Sequence, residues 1–225
     1  MKKLSILIGL LFITSCSQNS DTSSNGVSTV SWTIPTIGTA FIYQLQQQDP
    51  VAPFDTVMIL QTGQHLGGKT GVIGCLDKAG TAGTFFYNIE PNGDISDGDP
   101  TTTSLGVDTI TWTTFPTASH QPISDPVTDT IESGIHIFRS NVRTFVGAET
   151  LTTTAGQFST LHVRETSISI ISGPDSLDCN ASDTSILDRW YAPAIALYVK
   201  VVSSGTNDGV TSEPSEVDLI KYLPK

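Results

Sequence analysis

Apolar and polar residues alternate with a period of two along most of the chain, and no stretch keeps a helical period over three turns. Phe41, Tyr43 and Leu45 share one face of a segment at about 39–48, and Val57 and Ile59 alternate with Met58 and Leu60 in the next run. Phe85, Tyr87 and Ile89 form another face, ended by the turn signal Pro91-Asn92-Gly93-Asp94. Ile110 and Trp112 lie on one side of 106–115, with Val107 and Phe115 on the other. Ile135 and Ile137 mark a strand, as do Phe145 to Leu151. The run Phe158 to Ile171 is long enough for one bent strand or two, and its apolar parity shifts between Val163 and Ile168, which predicts a bulge near 164–167. Leu197, Val199 and Val201 alternate again, and Val217 and Leu219 close the pattern. Loops are expected at 118–130, 173–185 and 203–214, with short helical turns at 181–190 and within 118–130. The fold class that follows is all-β and mainly antiparallel, with at most one or two short helices.

The first residues break this pattern. Lys2 and Lys3 precede an apolar run from Leu4 to Ile13, too short to span a bilayer as a mature helix, so 1–15 reads as an export signal. The stretch Ile13-Thr14-Ser15-Cys16 resembles the lipobox of bacterial lipoprotein precursors. That resemblance implies acylation of Cys16, cleavage before it, and anchoring by two or three chains, which is far firmer than one chain gives. Ser17 rather than Asp follows the cysteine, which in many diderm bacteria implies passage to the outer membrane. Residues 16–28, almost devoid of apolar side chains, read as a lipidated flexible tether, leaving 29–225 as a single β-rich domain. Cell-envelope localisation is the expectation.

Composition narrows the partners. The chain has 225 residues with 11 Lys+Arg against 22 Asp+Glu, a formal charge of −11 that becomes −13 once Lys2 and Lys3 are removed. Such a surface repels phosphate backbones, so no nucleic-acid partner is expected. Beyond Cys16 only Cys75 and Cys179 remain, an even pair that outside the cytoplasm suggests a disulfide; two free buried thiols are the alternative. Neither belongs to a CxxC pair, so redox and zinc chemistry have no signal.

Several motifs tempt. Gly63 to Thr70 fits the spacing G-x-x-x-x-G-K-T, but a phosphate-binding loop needs a helix next, and Gly71 to Cys75 read as a strand. A hairpin turn explains the glycines better, and no nucleotide partner is expected. Asn92, Asp94, Asp97 and Asp99 crowd one stretch without the order of a calcium loop and read as a solvated acidic turn. His65, His120, His136 and His162 are scattered; His136 and His162 lie in predicted strands and read as satisfied sheet histidines, a meeting across the sheet being the alternative. No H-E-x-x-H, G-x-S-x-G or S-x-x-K is present, so no catalytic residue, metal or cofactor is assigned and the chain is not read as an enzyme.

The two ends of the domain carry a further resemblance. Ala155-Gly156-Gln157-Phe158 with Leu161 and Val163, then Trp190-Tyr191-Ala192-Pro193-Ala194-Ile195-Ala196-Leu197 with Val199-Lys200, then Val217 to Tyr222 near the end, together with Ile37-Gly38-Thr39 and Tyr43 near the start, form the set. It is similar to bacterial lipoproteins related to the lipoprotein-localisation (LolA/LolB-like) half-barrel. Ala194 and Ala196 stand where that pattern has glycine, which denies the turn easy positive φ. The resemblance implies a curved, half-barrel-like antiparallel sheet around a short helix or a cavity, and in some relatives that concavity holds acyl chains. Trp190 and Tyr191 serve packing or, alternatively, touch a ligand. Two functions remain open on the sequence: binding an apolar or amphipathic ligand in the concavity, or a structural lipoprotein with a packed core that docks an envelope protein.

Overall fold

In the computed structural model, residues 30–46, 54–78, 83–102, 108–132, 134–173 and 181–225 are described. The predicted signal and tether, Cys16 among them, and Cys179 lie outside the described residues. The strands, in chain order, are β1 (Ala40–Gln46), β2 (Phe54–Leu66), β3 (Lys69–Asp77), β4 (Gly83–Ile89), β5 (Ile95–Thr102), β6 (Asp108–Phe115) and β7 (Ile123–Ser124). They continue with β8 (Thr128–Glu132), β9 (Ile135–Thr153), β10 (Gly156–Ser172), β11 (Ala181–Ala192), β12 (Leu197–Asn207), β13 (Val210–Thr211) and β14 (Ser215–Leu223).

All join one antiparallel sheet whose main path runs β6-β5-β4-β3-β2-β1-β14-β12-β11-β10-β9-β7, while β13 pairs with β12 and β8 with β9. Two meanders, β1 to β6 and β9 to β14, are thus joined where the first strand pairs with the last. Inward apolar residues at period two curl the sheet round a common core, while β3 is buried on both faces. The result is a nearly closed barrel with one unsealed seam between β6 and the β7–β9 side, and no helix among the described residues.

Side chains bridge the seam instead of a backbone ladder. Arg143 of β9, only 3% exposed, sits 5.9 Å from the ring centroid of Phe115 on β6 and pairs with Asp125. His120 stacks on Phe145 at 3.8 Å.

One end of the barrel is covered by the extended segment before β1. Trp32 Nε1 donates to the Gly93 carbonyl at 2.8 Å, Thr33 N to Pro193 O at 2.8 Å, and Gly38 N to Ile59 O at 2.8 Å. Behind this cover lie Phe41, Tyr43, Ile59, Ile73, Tyr87, Ile95, Phe115 and Tyr191, all at most 1% exposed. Large aromatic side chains are what a barrel this wide needs to fill its section.

Several sequence expectations are corrected. The helical turns do not form: 181–190 belongs to β11, and the proline-rich 118–130 contributes β7 and β8. Residues 181–190 become strand because β10 and β12 flank them with backbone partners along most of their length. The loop expected at 203–214 is shorter, since β12 continues to Asn207. The long run after Phe158 is one strand, and its register shift falls at His162/Val163, just before the expected place. Asp97 and Asp99 are not in a solvated turn but on β5, while Asp94, 2% exposed, accepts the Ala118 and Ser119 N–H groups at 2.8 Å each. Pro100 is tolerated there because β4 pairs with β5 only as far as Gly98. Ala196 adopts φ +50 despite its side chain, so the turn before β12 uses the left-handed region without a glycine.

The hairpin reading of Gly63 to Thr70 holds. Gly67 and Gly68 have φ +56 and +78, the signs of a type I′ turn, and β3 follows directly.

Candidate functional site

The end of the barrel opposite the Trp32 cover opens into a cavity of about 460 Å³. Leu45, Phe85, Phe86, Leu187, Val201 and Val217 supply its apolar wall. Five carboxylates also line it, from Asp55, Asp77, Asp97, Asp99 and Glu165, against a single cationic side chain, Arg189. The strand period explains how charge enters. Asp97 follows the buried Ile95 by two positions, Glu165 follows Val163 by two, and Arg189 precedes Tyr191 by two, so each shares the inward parity of a core residue.

These groups form a linked centre. Arg189 Nη1 lies 3.5 Å from Asp97 Oδ2 and 3.8 Å from Glu165 Oε2, and its guanidinium stands 4.4 Å from the Phe115 ring centroid. Burial opposes the charge of Arg189, but the surrounding Tyr191, Asp97 and Glu165 more than offset this and hold it firmly protonated. Burial pushes the Asp97 carboxyl above the usual range, and the Arg189 charge works against that rise. The hydroxyls of Tyr191 and Tyr198 are likewise pushed up, first by burial and then by the negative field of Asp97. The arrangement concentrates buried charge of both signs at the floor of the cavity.

Trp190 and Tyr191, the candidate ligand contacts, point to opposite sides. Tyr191 is fully buried, packs on Phe115 at 5.8 Å and sets its hydroxyl beside Asp97 and Arg189. Trp190 lies on the outer face, stacked on His162 at 4.2 Å, with its Nε1 donating to Glu149 Oε1 at 2.6 Å. Asp188 gathers this outer cluster, bonded to His162 Nε2 at 2.7 Å and to Arg164 at 2.9 and 3.0 Å. Burial works against its charge, yet the Arg164 and His162 bonds hold its pKa below the ordinary carboxylate range. His136 and His162 do not meet; His136 pairs with Asp129 at 2.7 Å near the other end of β9.

Cys75 is fully buried, with its thiol pushed up by burial and by Asp97, and its predicted partner Cys179 lies outside the described residues. No set of three His, Cys, Asp or Glu among the described residues is arranged to hold a metal ion.

The sequence reading placed Asp97 and Asp99 in an acidic turn because ISDGDPTT has weak strand character, and it passed over Asp55, Asp77 and Glu165 because charged residues in a strand read as its outer face. Their spacing of two from an apolar core residue was the available signal, as in Ile95-Ser96-Asp97 and Arg189-Trp190-Tyr191.

No family model matches the chain, and no curated protein matches its sequence. Among solved structures, a candidate lipoprotein from Parabacteroides distasonis superposes with a TM-score of 0.50 at 14% identity, covering 85% of this chain and 98% of its own. A candidate exported protein with a YmcC-like fold from Bacteroides fragilis gives a TM-score of 0.42 at 17% identity, covering 86% and 99%. What this chain shares with the Parabacteroides protein is the fold, over nearly the whole of that protein.

Proposed function

We propose that the chain is a non-catalytic lipoprotein of the cell envelope, anchored to the outer membrane by acyl chains on Cys16, that shelters an amphipathic ligand in the open end of its barrel. One observation carries the ligand reading: a cavity of about 460 Å³ with an apolar wall and a charged floor, of the size and mixed character of small-molecule sites. The relation to the lipoprotein-localisation half-barrels belongs to the same reading. A curved antiparallel sheet with a cavity at its open end supports it, and the extended Trp32 segment takes the place of a helix at the covered end.

The test uses the mature chain carrying Cys16→Ser and an uncharged environment-sensitive dye. Fluorescence is expected to rise on mixing and to be lost in Val217→Trp, which fills the cavity mouth. Equal signal from both proteins, or none from either, would overturn the ligand reading. The second reading, docking of an envelope protein, is favoured by the seam, where β6 ends the sheet path and leaves one side of its backbone without a neighbouring strand. It predicts that a crosslinker placed at Thr111 captures one envelope protein reproducibly in intact cells.

A further inference from the structure

The end of the barrel closed by the Trp32 segment carries an apolar surface that the core does not use. We infer that this end rests on the lipid surface to which the chain is anchored, with Ile34, Ile37, Leu60 and Leu223 entering the headgroup layer and Lys221 and Lys225 set beside lipid phosphates. The inference rests on the anchoring at Cys16 proposed above.

Four large apolar side chains gather here in the open: Ile34, Ile37, Leu60 and Leu223 are 45%, 54%, 40% and 41% exposed. Backbone pairing brings them together. Leu223 pairs with Ala40 and Ala40 with Met58, so Leu60, two positions on, shares the outer face with Leu223. Gly38 N donates to the Ile59 carbonyl and Thr39 N to the Thr36 carbonyl, which sets the turn bearing Ile37 against β2. Ile34 joins Trp32, Ile89 and Pro91 along an open groove of about 270 Å³, which Val30 also lines. Single exposed apolar residues are ordinary, but four at one end of the barrel mark a contact surface.

The start of the chain selects the occupant. Val30, the first described residue, lies at this end beside Gly93 of the β4–β5 turn. Taken as the flexible tether that the sequence predicts, the 14 steps from Cys16 to Val30 have a root-mean-square reach of about 20 Å. β9 has 19 residues, about 60 Å of strand, so the end bearing Val30 meets the bilayer first and the cavity points away from it. So short a tether holds this surface near lipid at a millimolar effective concentration, which populates contacts too weak to bind the free protein.

Charge fits the same orientation. Gly38 holds φ +87, and a side chain there would meet Lys225 Cδ at 2.7 Å, so the glycine lets the lysine stem lie across the turn while its ammonium reaches outward. Lys221 is exposed two positions before Leu223. Acids near this end are engaged: Glu90 pairs with Lys69, Asp94 is buried against the Ala118 and Ser119 N–H groups, and Glu149 accepts from Trp190 on the outer wall. Asp55, Asp77, Asp97 and Asp99 line the opposite end, away from the negative charge of a lipid surface.

The test holds the mature chain, with an oligohistidine tag in place of Cys16, on nanodiscs of phosphatidylethanolamine and phosphatidylglycerol through a nickel-chelating lipid, with and without a headgroup spin label. Spin-label broadening of the amide signals of 33–38 and 223–225 is expected to exceed several-fold that of Thr111 and Val210 at the other end, although Val210 is 71% exposed. Ile34→Ser with Ile37→Ser, both changes at exposed positions, should at least halve that difference, and Val210→Ser should leave it unchanged. Equal broadening at the two ends, or none at either, overturns the inference. So does a shift of 33–38 and 223–225 that grows with protein concentration in the absence of lipid, which assigns the surface to a second copy. Anchoring is scored separately, as incorporation of an alkynyl palmitate in cells that is lost in Cys16→Ala. Its failure overturns both readings, whereas incorporation with equal broadening overturns this inference alone.

Discussion

Arg189 is the single cation among the cavity-lining residues, so its removal is the sharpest perturbation of the barrel interior. Arg189→Met keeps a long apolar side chain against Phe115 and deletes the charge that stands 3.5 Å from Asp97 and 3.8 Å from Glu165. Breaking a deeply buried pair on one side costs about 3–5 kcal/mol. Here the side chains of Arg189, Asp97 and Glu165 retain 20%, 28% and 15% exposure, so solvent screens part of the penalty. The expected loss near neutral pH is therefore about 2–3 kcal/mol, or roughly 4–12 °C in Tm for a domain of this size. The loss should depend on pH in a defined direction. Asp97 already has its pKa raised by burial against the pull of Arg189, and deletion of Arg189 raises it further. A carboxyl with a raised folded pKa stabilises the fold only below its unfolded pKa, and that contribution is lost as pH rises through the folded value. The deficit of Arg189→Met must then shrink as pH falls from neutrality. Urea unfolding followed by tryptophan fluorescence measures it, with equal m-values required for the comparison. Adding Asp97→Asn to Arg189→Met should restore about half the loss at neutral pH. A deficit below about 1 kcal/mol, or one that grows on acidification, would refute the reasoning.

Gly205→Ala is expected to destabilise by about 1–3 kcal/mol, because its new Cβ would meet the Thr184 carbonyl oxygen at 2.5 Å, whereas Gly147→Ala, with nothing within 4 Å, should be neutral to slightly stabilising in the same urea assay. Asp94→Ala removes the acceptor of two backbone N–H groups and should cost about 1–3 kcal/mol, with Asp94→Asn losing less. Asp218, pushed up to about 6 by burial and by its bond with Glu216, is costly in its charged form; solvent screening and the Lys200 and Gln46 contacts reduce that cost, so Asp218→Asn should gain about 1 kcal/mol or less at neutral pH and lose that gain as pH falls below the raised value. Cys75 should resist a thiol reagent in the native protein and react only after unfolding; no reactive thiol after unfolding, with a mass 2 Da below the reduced chain, would instead show the bridge to Cys179.

The alternation at Phe41-Tyr43, Phe85-Tyr87 and Val217-Leu219 was enough to read an antiparallel β architecture, because strand parity is local and these side chains turn to one face. Two segments resisted for opposite reasons. Ile95 to Thr102, written ISDGDPTT, has the composition of a turn, and it becomes β5 because β4 and β6 supply its register from either side. Residues 181–190 mix apolar and charged side chains with no clean parity, since Asp188 faces the His162 and Arg164 cluster outside while Arg189 faces the cavity within. Both faces of that strand are polar, so a pattern that looks for one apolar face does not see a strand. The same blindness hid the site: charged residues at inward parity look like surface residues until the curl of the sheet is known.

The curl also explains why there is a cavity to carry charge. Eight strands make a barrel whose interior side chains just fill it, and wider barrels leave space. Twelve strands lie along the main path of this sheet, so its section is too wide for Val and Ile alone. At the covered end the chain fills that width with Tyr43, Tyr87, Tyr191, Phe41 and Phe115 and with the Trp32 segment laid across. Towards the other end the inward positions pass to Asp55, Asp77, Asp97 and Glu165 with Leu45 and Val217, a set that neither packs tightly nor excludes water. A purely structural barrel of this width would be more stable with large apolar residues at Asp97, Glu165 and Arg189, since replacing a buried ionic group by well-packed apolar side chains is often stabilising. The triple change to Leu, Leu and Met therefore separates the two readings. A gain in stability with loss of dye binding marks the charges as serving the ligand. A loss of stability with unchanged binding marks them as scaffold.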